Sequence, residues 1–357
     1  MSQPEDHGAE VSQPATACQV QVSGGVPDWR DYMAGQSGAG IYHDVRWGGI
    51  MQGAYGNAPF YLTARRGQAV VGTLQLVAQR SILFGSHLCS LPYFDAAGVL
   101  ADDSQAEAAI LDAAGRLAKD LGVGWVELRQ VRTLGESLLA RTDKVTLHLP
   151  LPGSSEGLWK GLKDKVRNQV RKAEKAGMTA EEGGPELLDD FHAVYSRNMR
   201  DLGSPPHGRK FFRLIAEAFP AAIRLFVVRQ GRQAVAASLT LRDNHAVHVP
   251  WAGSDWRLSK FCPNMLLYWK MLAVSSDTGA ACFDFGRSTP DEGTFRFKTQ
   301  WGAEPVQLYW HFLMSEGKAM PDLRPDSPKY RFMVACWKKL PVRMARAIGP
   351  RIIGKLS

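Results

Sequence analysis

Alternating apolar and polar positions, interrupted by short glycine-bearing turns, occur twice along this chain in the same order. Phe60 to Leu76 and Leu225 to Leu241 each read as strand, turn, strand. The two segments align without a gap, so that Gln68, Ala69, Val70, Leu74 and Leu76 fall on Gln233, Ala234, Val235, Leu239 and Leu241. Each is followed by a further strand and then by a helix-length run of apolar periodicity, Ser104 to Asp120 and Asn264 to Ser276. A buried strand closes each unit, ending in Glu127-Leu-Arg129 or in Asp284-Phe-Gly-Arg287. The pattern predicts a duplicated α/β (α+β) architecture in which strand, strand, strand, helix, strand form one mixed sheet per half.

Between the halves the period changes. Leu158, Trp159, Leu162, Val166, Val170, Ala173 and Ala176 recur at three- and four-residue spacing, which predicts a helix with one narrow apolar stripe over 156–177. Ser154 or Ser155 suits its start and Gly177 its end. Lys160, Lys163, Arg167, Arg171 and Lys175 share the opposite face, and only Asp164 and Glu174 offset them. Arg167 and Arg171 are therefore candidate contacts for phosphate, although a solvated helix face reads the same way.

Chemistry concentrates in Cys282-Phe-Asp-Phe-Gly-Arg-Ser-Thr-Pro-Asp-Glu-Gly-Thr-Phe-Arg-Phe-Lys298-Thr-Gln-Trp-Gly302. Here a strand runs into a glycine- and proline-rich turn loaded with charge, and the chain re-enters through an aromatic segment carrying a lysine. Convergent charge where backbones approach closely is more than a hairpin needs. Together with Trp251-Ala-Gly-Ser254 and Pro263-Asn264-Met-Leu-Leu-Tyr-Trp, this stretch resembles the C-terminal half of the FemAB family. Leu83-Phe-Gly, Ser90-Leu-Pro-Tyr-Phe-Asp and the basic segment Lys163 to Gly177 resemble more narrowly the FemAB-like subgroup associated with exosortase (PEP-CTERM) and exopolysaccharide systems.

The resemblance implies tandem acetyltransferase-like (GNAT) domains with partly splayed sheets, and an acyltransferase that moves an acyl group, in that family an aminoacyl group, onto an amine of a cell-envelope or exopolysaccharide precursor. Pro250, directly after the strand Ala246 to Val249, removes a ladder donor where such a splay is expected. Lys298 is implied as the positive charge that meets the developing oxyanion. Asp284 and Glu292 are candidates to hold or deprotonate the amine, and Arg287 and Arg296 to contact phosphate or carboxylate. Phe297, Trp251, Ser254 and Asn264 are candidate substrate contacts within the same motifs, and His207, beside two prolines, is a further candidate. No bound cofactor is expected. The donor is aminoacyl-tRNA or acyl-CoA; the pyrophosphate loop of coenzyme-A enzymes has only near misses such as Arg132-Thr-Leu-Gly-Glu-Ser137, whereas the family's tRNA-contacting coiled-coil arm has no heptads to form it. A non-catalytic, membrane-associated assembly factor on the same fold is the alternative from another class.

Charge refines the picture at one end. Of the formal +8, all is accounted for by Lys329, Arg331, Lys338, Lys339, Arg343, Arg346, Arg351 and Lys355, with no acid among them. Interleaved with Met333, Trp337, Met344 and Ile352, they suit either an anionic membrane surface or a terminal helix packed on its own domain. The five cysteines form no CxxC pair, so no metal site or disulfide framework is expected. A polar, acidic start and the lack of a membrane-length apolar run point to a cytoplasmic protein, peripheral at the inner membrane face. The expected division is a disordered 1–20, an N-terminal domain over 21–150, a C-terminal domain over 151–318 and a basic amphipathic tail over 319–357.

Overall fold

The computed structural model describes residues 17–81, 85–135, 138–315, 317 and 328–356. Its strands are β1 (Gln19–Ser23), β2 (Pro59–Arg66), β3 (Ala69–Ser81), β4 (Gly85–Cys89), β5 (Leu100–Ala101), β6 (Trp125–Gln130), β7 (Leu139–Arg141), β8 (Val145–Pro150), β9 (Met178–Gly183), β10 (Ile223–Gln230), β11 (Gln233–Arg242), β12 (Ala246–Ser254), β13 (Cys282–Asp284), β14 (Glu304–Gln307) and β15 (Tyr309–Met314). They make two sheets. The first runs β1-β2-β3-β4-β6-β15-β7 with β5 beside β3, and the second runs β9-β10-β11-β12-β13-β8-β14. Position by position the two are alike, down to the parallel pairs β4·β6 and β12·β13 among antiparallel neighbours.

The sixth position of each sheet is exchanged. Strand β8, which follows the first half in sequence, lies between β13 and β14 of the second sheet. Strand β15, at the end of the second half, lies between β6 and β7 of the first. Each sheet is thus completed by a strand encoded beyond the other, so the chain does not divide into two sheets at residue 150. At the N-terminus, Gln19 and Val20, expected to be disordered, belong to β1, whereas residues 1–16 lie outside the described residues.

Local chemistry explains the elements. In both hairpins a glycine with positive φ, Gly67 at 60° and Gly231 at 58°, opens the turn, and both carry a bulge at the matching place. These landmarks equate Gly67 with Gly231, one residue away from the register of the ungapped sequence alignment. A one-residue slip reverses faces in a strand. Leu74 and Leu76 pack with Ile110 and Ala113 of the helix Ser104–Asp120, whereas Leu239 and Leu241 point to the opposite layer beside Phe211 and Phe212. That first helix starts where Asp103 accepts a hydrogen bond from the Ala106 amide at 2.9 Å.

The single helix expected over 156–177 is two, Ser155–Gly161 and Asp164–Lys175. Leu162 and Lys163 are extended, and Arg167 donates to the carbonyls of Trp159 and Lys160, satisfying the end of the first piece. The apolar stripe survives the break, because Leu158, Leu162, Val166, Val170 and Ala173 are all buried against the second sheet's core.

An aromatic layer holds the halves together. Trp47 of the first half meets Phe219 of the second and Phe94 meets Trp251, with ring centroids 5.0 and 5.5 Å apart. The tail is described from 328 onward as helices Pro328–Lys338 and Val342–Ile353. The second packs on the fold: Ala345 is fully buried, and the Tyr93 hydroxyl donates to the Ile353 carbonyl at 2.9 Å. Among the described residues no helix is long and apolar enough to cross a membrane.

Because β6 exposes an unpaired edge until β15 arrives, residues 17–150 expressed alone are expected to lack a cooperative thermal transition by circular dichroism. A sharp, reversible melt of that fragment would contradict the dependence on the exchanged strand.

Candidate active site

The two parallel pairs part in different ways. In the second sheet, β12 and β13 pair only from Ala246 to His248 and from Cys282 to Asp284; the strands then diverge and Pro250 lies in the gap. Gly286, at φ 74°, turns the chain away, and a Cβ there would stand 3.2 Å from the Val249 carbonyl oxygen. The result is a cavity of about 640 Å³ at the junction of the halves.

In the first sheet the equivalent gap is sealed. The Ser90 and Ala97 amides donate to the carbonyls of Glu127 and Arg129, and Arg129, fully buried, donates to the Phe94 carbonyl at 2.8 Å and to Glu127 at 2.7 Å. Trp310, brought in by β15, covers the Arg129 guanidinium at 4.2 Å. Among the described residues, the splay left open is the second half's.

Its floor is an imidazole held between two carboxylates. His248 Nδ1 lies 3.1 Å from Asp284 and Nε2 lies 2.9 Å from Asp243. Burial alone would push the His248 pKa down, but the two carboxylates outweigh it and carry it up to about 9. Burial likewise raises Asp284, yet the hydrogen bond from His248 prevails and holds its carboxyl at about 2. Asp243 is held well below the ordinary carboxylate range for the same reasons. The other Asp284 oxygen accepts from the Thr146 hydroxyl and from the Gly286 amide at 2.8 Å. The Asp284 carboxylate thus accepts three hydrogen bonds and is weakly basic.

Lys298 emerges from the helix Gly293–Thr299 into the same cavity, only 7% exposed. Its ammonium donates to the carbonyls of Gly286 at 2.7 Å and Arg287 at 2.8 Å. Burial lowers its pKa to about 8, opposed by the nearby Asp284 and Asp95 carboxylates. An ammonium has three protons to donate, and two are committed to this turn, leaving one. Arg287 crosses to the first half, pairing with Asp95 at 2.9 Å beneath Trp310.

Of the residues expected from sequence, Asp284, Arg287 and Lys298 come together in the cavity. Glu292 and Arg296 are exposed on the helix that carries Lys298 and do not line it. Phe297 packs against Tyr268 and Trp301 in the core. Trp251 is a buried wall of the aromatic layer, and half-buried Ser254 and Asn264 lie away from the cavity. Arg167 binds Asp164 and Arg171 covers the Trp159 ring, both on the helix face. His207 is buried, 2.6 Å from the Tyr55 hydroxyl, and burial drives its pKa down to about 3, so it is a structural imidazole and not a loop base.

Sequence reading missed His248, Asp243, Thr146 and His148. The signal was present: in Val145-Thr-Leu-His-Leu-Pro150, Thr146 and His148 share one face of an otherwise apolar strand. His148 is 37% exposed, with Nε2 3.7 Å from Asp284, and lines the cavity.

The sequence profile of an acetyltransferase (GNAT) domain matches residues 160–299. Among solved structures, the chain is similar to FemX, with a TM-score of 0.58 and 14% identity over 79% of this chain and 94% of that one. It is also similar to the L-PGS of Bacillus licheniformis, at a TM-score of 0.51 and 11% identity over 83% and 92%. A tandem GNAT protein from the clavulanic acid biosynthesis pathway gives 0.50 and 11% over 85% and 100%. A search of curated proteins finds no significant match. The fold is therefore a tandem pair of GNAT-like sheets with a helical tail.

A raised histidine pKa stabilises the fold fully below its unfolded value of 6.5, and that stabilisation is lost as pH rises through the folded value of about 9. A shift of this size corresponds to about 3 kcal/mol. The stability gap between the wild type and His248→Gln, read by urea unfolding, should narrow by about that amount between pH 6 and pH 10. A gap that stays constant with pH would rule out the charged imidazole.

Proposed function

We propose that the chain is an acyltransferase whose single reaction site is the open cleft of the second half, and that it transfers an aminoacyl group to an amine of a cell-envelope or exopolysaccharide precursor. The observation that carries this reading is the splayed β12·β13 gap with Lys298 and the Asp243–His248–Asp284 floor inside it, where the matching gap of the first half is filled.

The amine attacks the donor's ester carbonyl, forming a C–N bond; the C–O bond then breaks and the donor's hydroxyl leaves with a proton. The remaining Lys298 proton meets the oxyanion, its position fixed by the two carbonyl contacts. His148 takes the proton from the amine, since His248 has both nitrogens engaged and Asp284 already accepts three hydrogen bonds. Arg287, tied to Asp95, sets the spacing of the two cleft walls. Glu292 and Arg296, on the exposed face, are left for contacts with a large donor outside the cavity.

An aminoacyl-tRNA donor is favoured over acyl-CoA by the loop before the helix Pro263–Asp277. In a coenzyme-A enzyme, glycine-rich backbone there would present amides to pyrophosphate. Here Asp255 to Cys262 contains no glycine, folds as a 3-10 turn, and starts with a buried carboxylate held by Arg197 and Arg257. The domain-profile match to acetyltransferases favours acyl-CoA as the second reading. The acceptor's membrane setting, as in exosortase-linked or exopolysaccharide assembly, suits a tail that carries the chain's whole net charge, which we place against an anionic inner-membrane surface.

Candidate amine acceptors incubated with the protein and either charged tRNA or an acyl-CoA panel should gain the mass of an aminoacyl group from charged tRNA alone. Lys298→Met should slow that transfer about 10²- to 10³-fold. It should also destabilise the fold by about 1–3 kcal/mol, because the Gly286 and Arg287 carbonyls lose their donor. Transfer from acyl-CoA alone would select the second reading, and no mass gain from either donor would favour a non-catalytic assembly factor.

A further inference from the structure

A second cavity, about 660 Å³, takes no part in this chemistry. It opens between the end of the helix Val342–Ile353 and the first sheet, with Tyr55, Phe60 and Val123 on its walls and Arg80, Arg351 and Lys355 around it. No acidic residue lines it, and among the described residues none of the three cations has an ion pair or hydrogen bond. Three uncompensated cations around apolar walls match a ligand that is anionic at one end and hydrocarbon at the other.

The rim is built, not trailing. The Gly354 carbonyl accepts from Asn57 at 3.0 Å, and the Ile353 carbonyl accepts from Tyr93 at 2.9 Å. A Cβ on Gly354 would stand 2.7 Å from the Tyr55 ring, so the chain is drawn in tightly between Arg351 and Lys355. On the same helix Met344 and Ile352 remain 51% and 39% exposed, apolar side chains beside cations as at a bilayer surface.

The geometry points to a seat for the phosphate headgroup of one anionic membrane phospholipid, with Arg80, Arg351 and Lys355 on the phosphate and the aromatic walls on the glycerol and first methylenes. This rests on the membrane-surface reading of the tail and gives it a specific address. The Tyr55 and Tyr93 rings are 5.8 Å apart, and Tyr93 also lines the reaction cleft. A seated lipid is thus one aromatic layer from the chemistry.

Co-sedimentation of the full chain with phosphatidylcholine vesicles, with and without phosphatidylglycerol, tests the seat without turnover. Binding should require phosphatidylglycerol. It should weaken about tenfold or more in the double variant Arg351→Gln, Lys355→Gln. Ala58→Trp, at an exposed position lining the groove, changes no charge and should weaken binding similarly, whereas Lys338→Gln with Lys339→Gln, outside the groove, should weaken it less. Equal losses for the two charge variants, or unchanged binding by Ala58→Trp of wild-type melting temperature, would overturn the seat and leave a diffuse basic surface. Displacement by soluble glycerol phosphate at equal phosphate concentration would reassign it to a free phosphate. Failure of the wild type to bind phosphatidylglycerol vesicles would remove the membrane reading as well, with acyl transfer unaffected.

Discussion

Backbone hydrogen bonding at the sixth strand of each sheet is the constraint on which the rest of this molecule depends. A sheet edge left unpaired is unstable and adhesive, and each half closes its edge with a strand from the other. The exchange also delivers the functional groups. β8 carries Thr146 and His148 to the Asp284 floor, while β15 carries Trp310 onto Arg129 and Arg287. Rigid placement of the cleft walls follows, because neither half can shift without breaking a ladder in the other.

The floor shows how charge is held at the bottom of a cleft. Three ionisable groups, Asp243, His248 and Asp284, are largely withdrawn from water together, with 14–17% of each side chain still exposed, and each is paired or bonded to a neutral donor. Removing a single partner leaves an uncompensated buried charge, so such sets hold as a unit. Lys298 is managed differently, with two neutral carbonyls in place of a carboxylate, which leaves its charge uncancelled and therefore usable.

What the sequence made legible was what local periodicity encodes. The duplicated strand order, the helix Ser104–Asp120, the apolar stripe through Val166 and Val170, and the charged turn holding Asp284 and Lys298 all follow from residue spacing. The hairpin register was off by one because matching leucines outweighed the turn glycines, although Gly67 and Gly231 carry the stricter backbone requirement. The helix break at Leu162 was signalled by Gly161, the last residue of the first piece, but was passed over because the apolar spacing runs on through it. His148 was passed over because its partner Asp284 lies on a strand that only the exchange brings beside it, and His248 because its two carboxylates flank it together only once β12 pairs with β13. His207 was misjudged since two prolines suggested an exposed loop, whereas Tyr195 and Phe211 enclose it.

The exchanged strands set a schedule for the protein's birth. The first sheet cannot close until residue 314 has left the ribosome, although its other strands are complete by residue 141. At ordinary rates of synthesis that interval is on the order of ten seconds. Throughout it, the edge of β6 is open beside apolar Val126 and Leu128. A nascent chain in that condition is an obvious client for whatever shields unfinished sheets, and stalling between the two halves would strand it there.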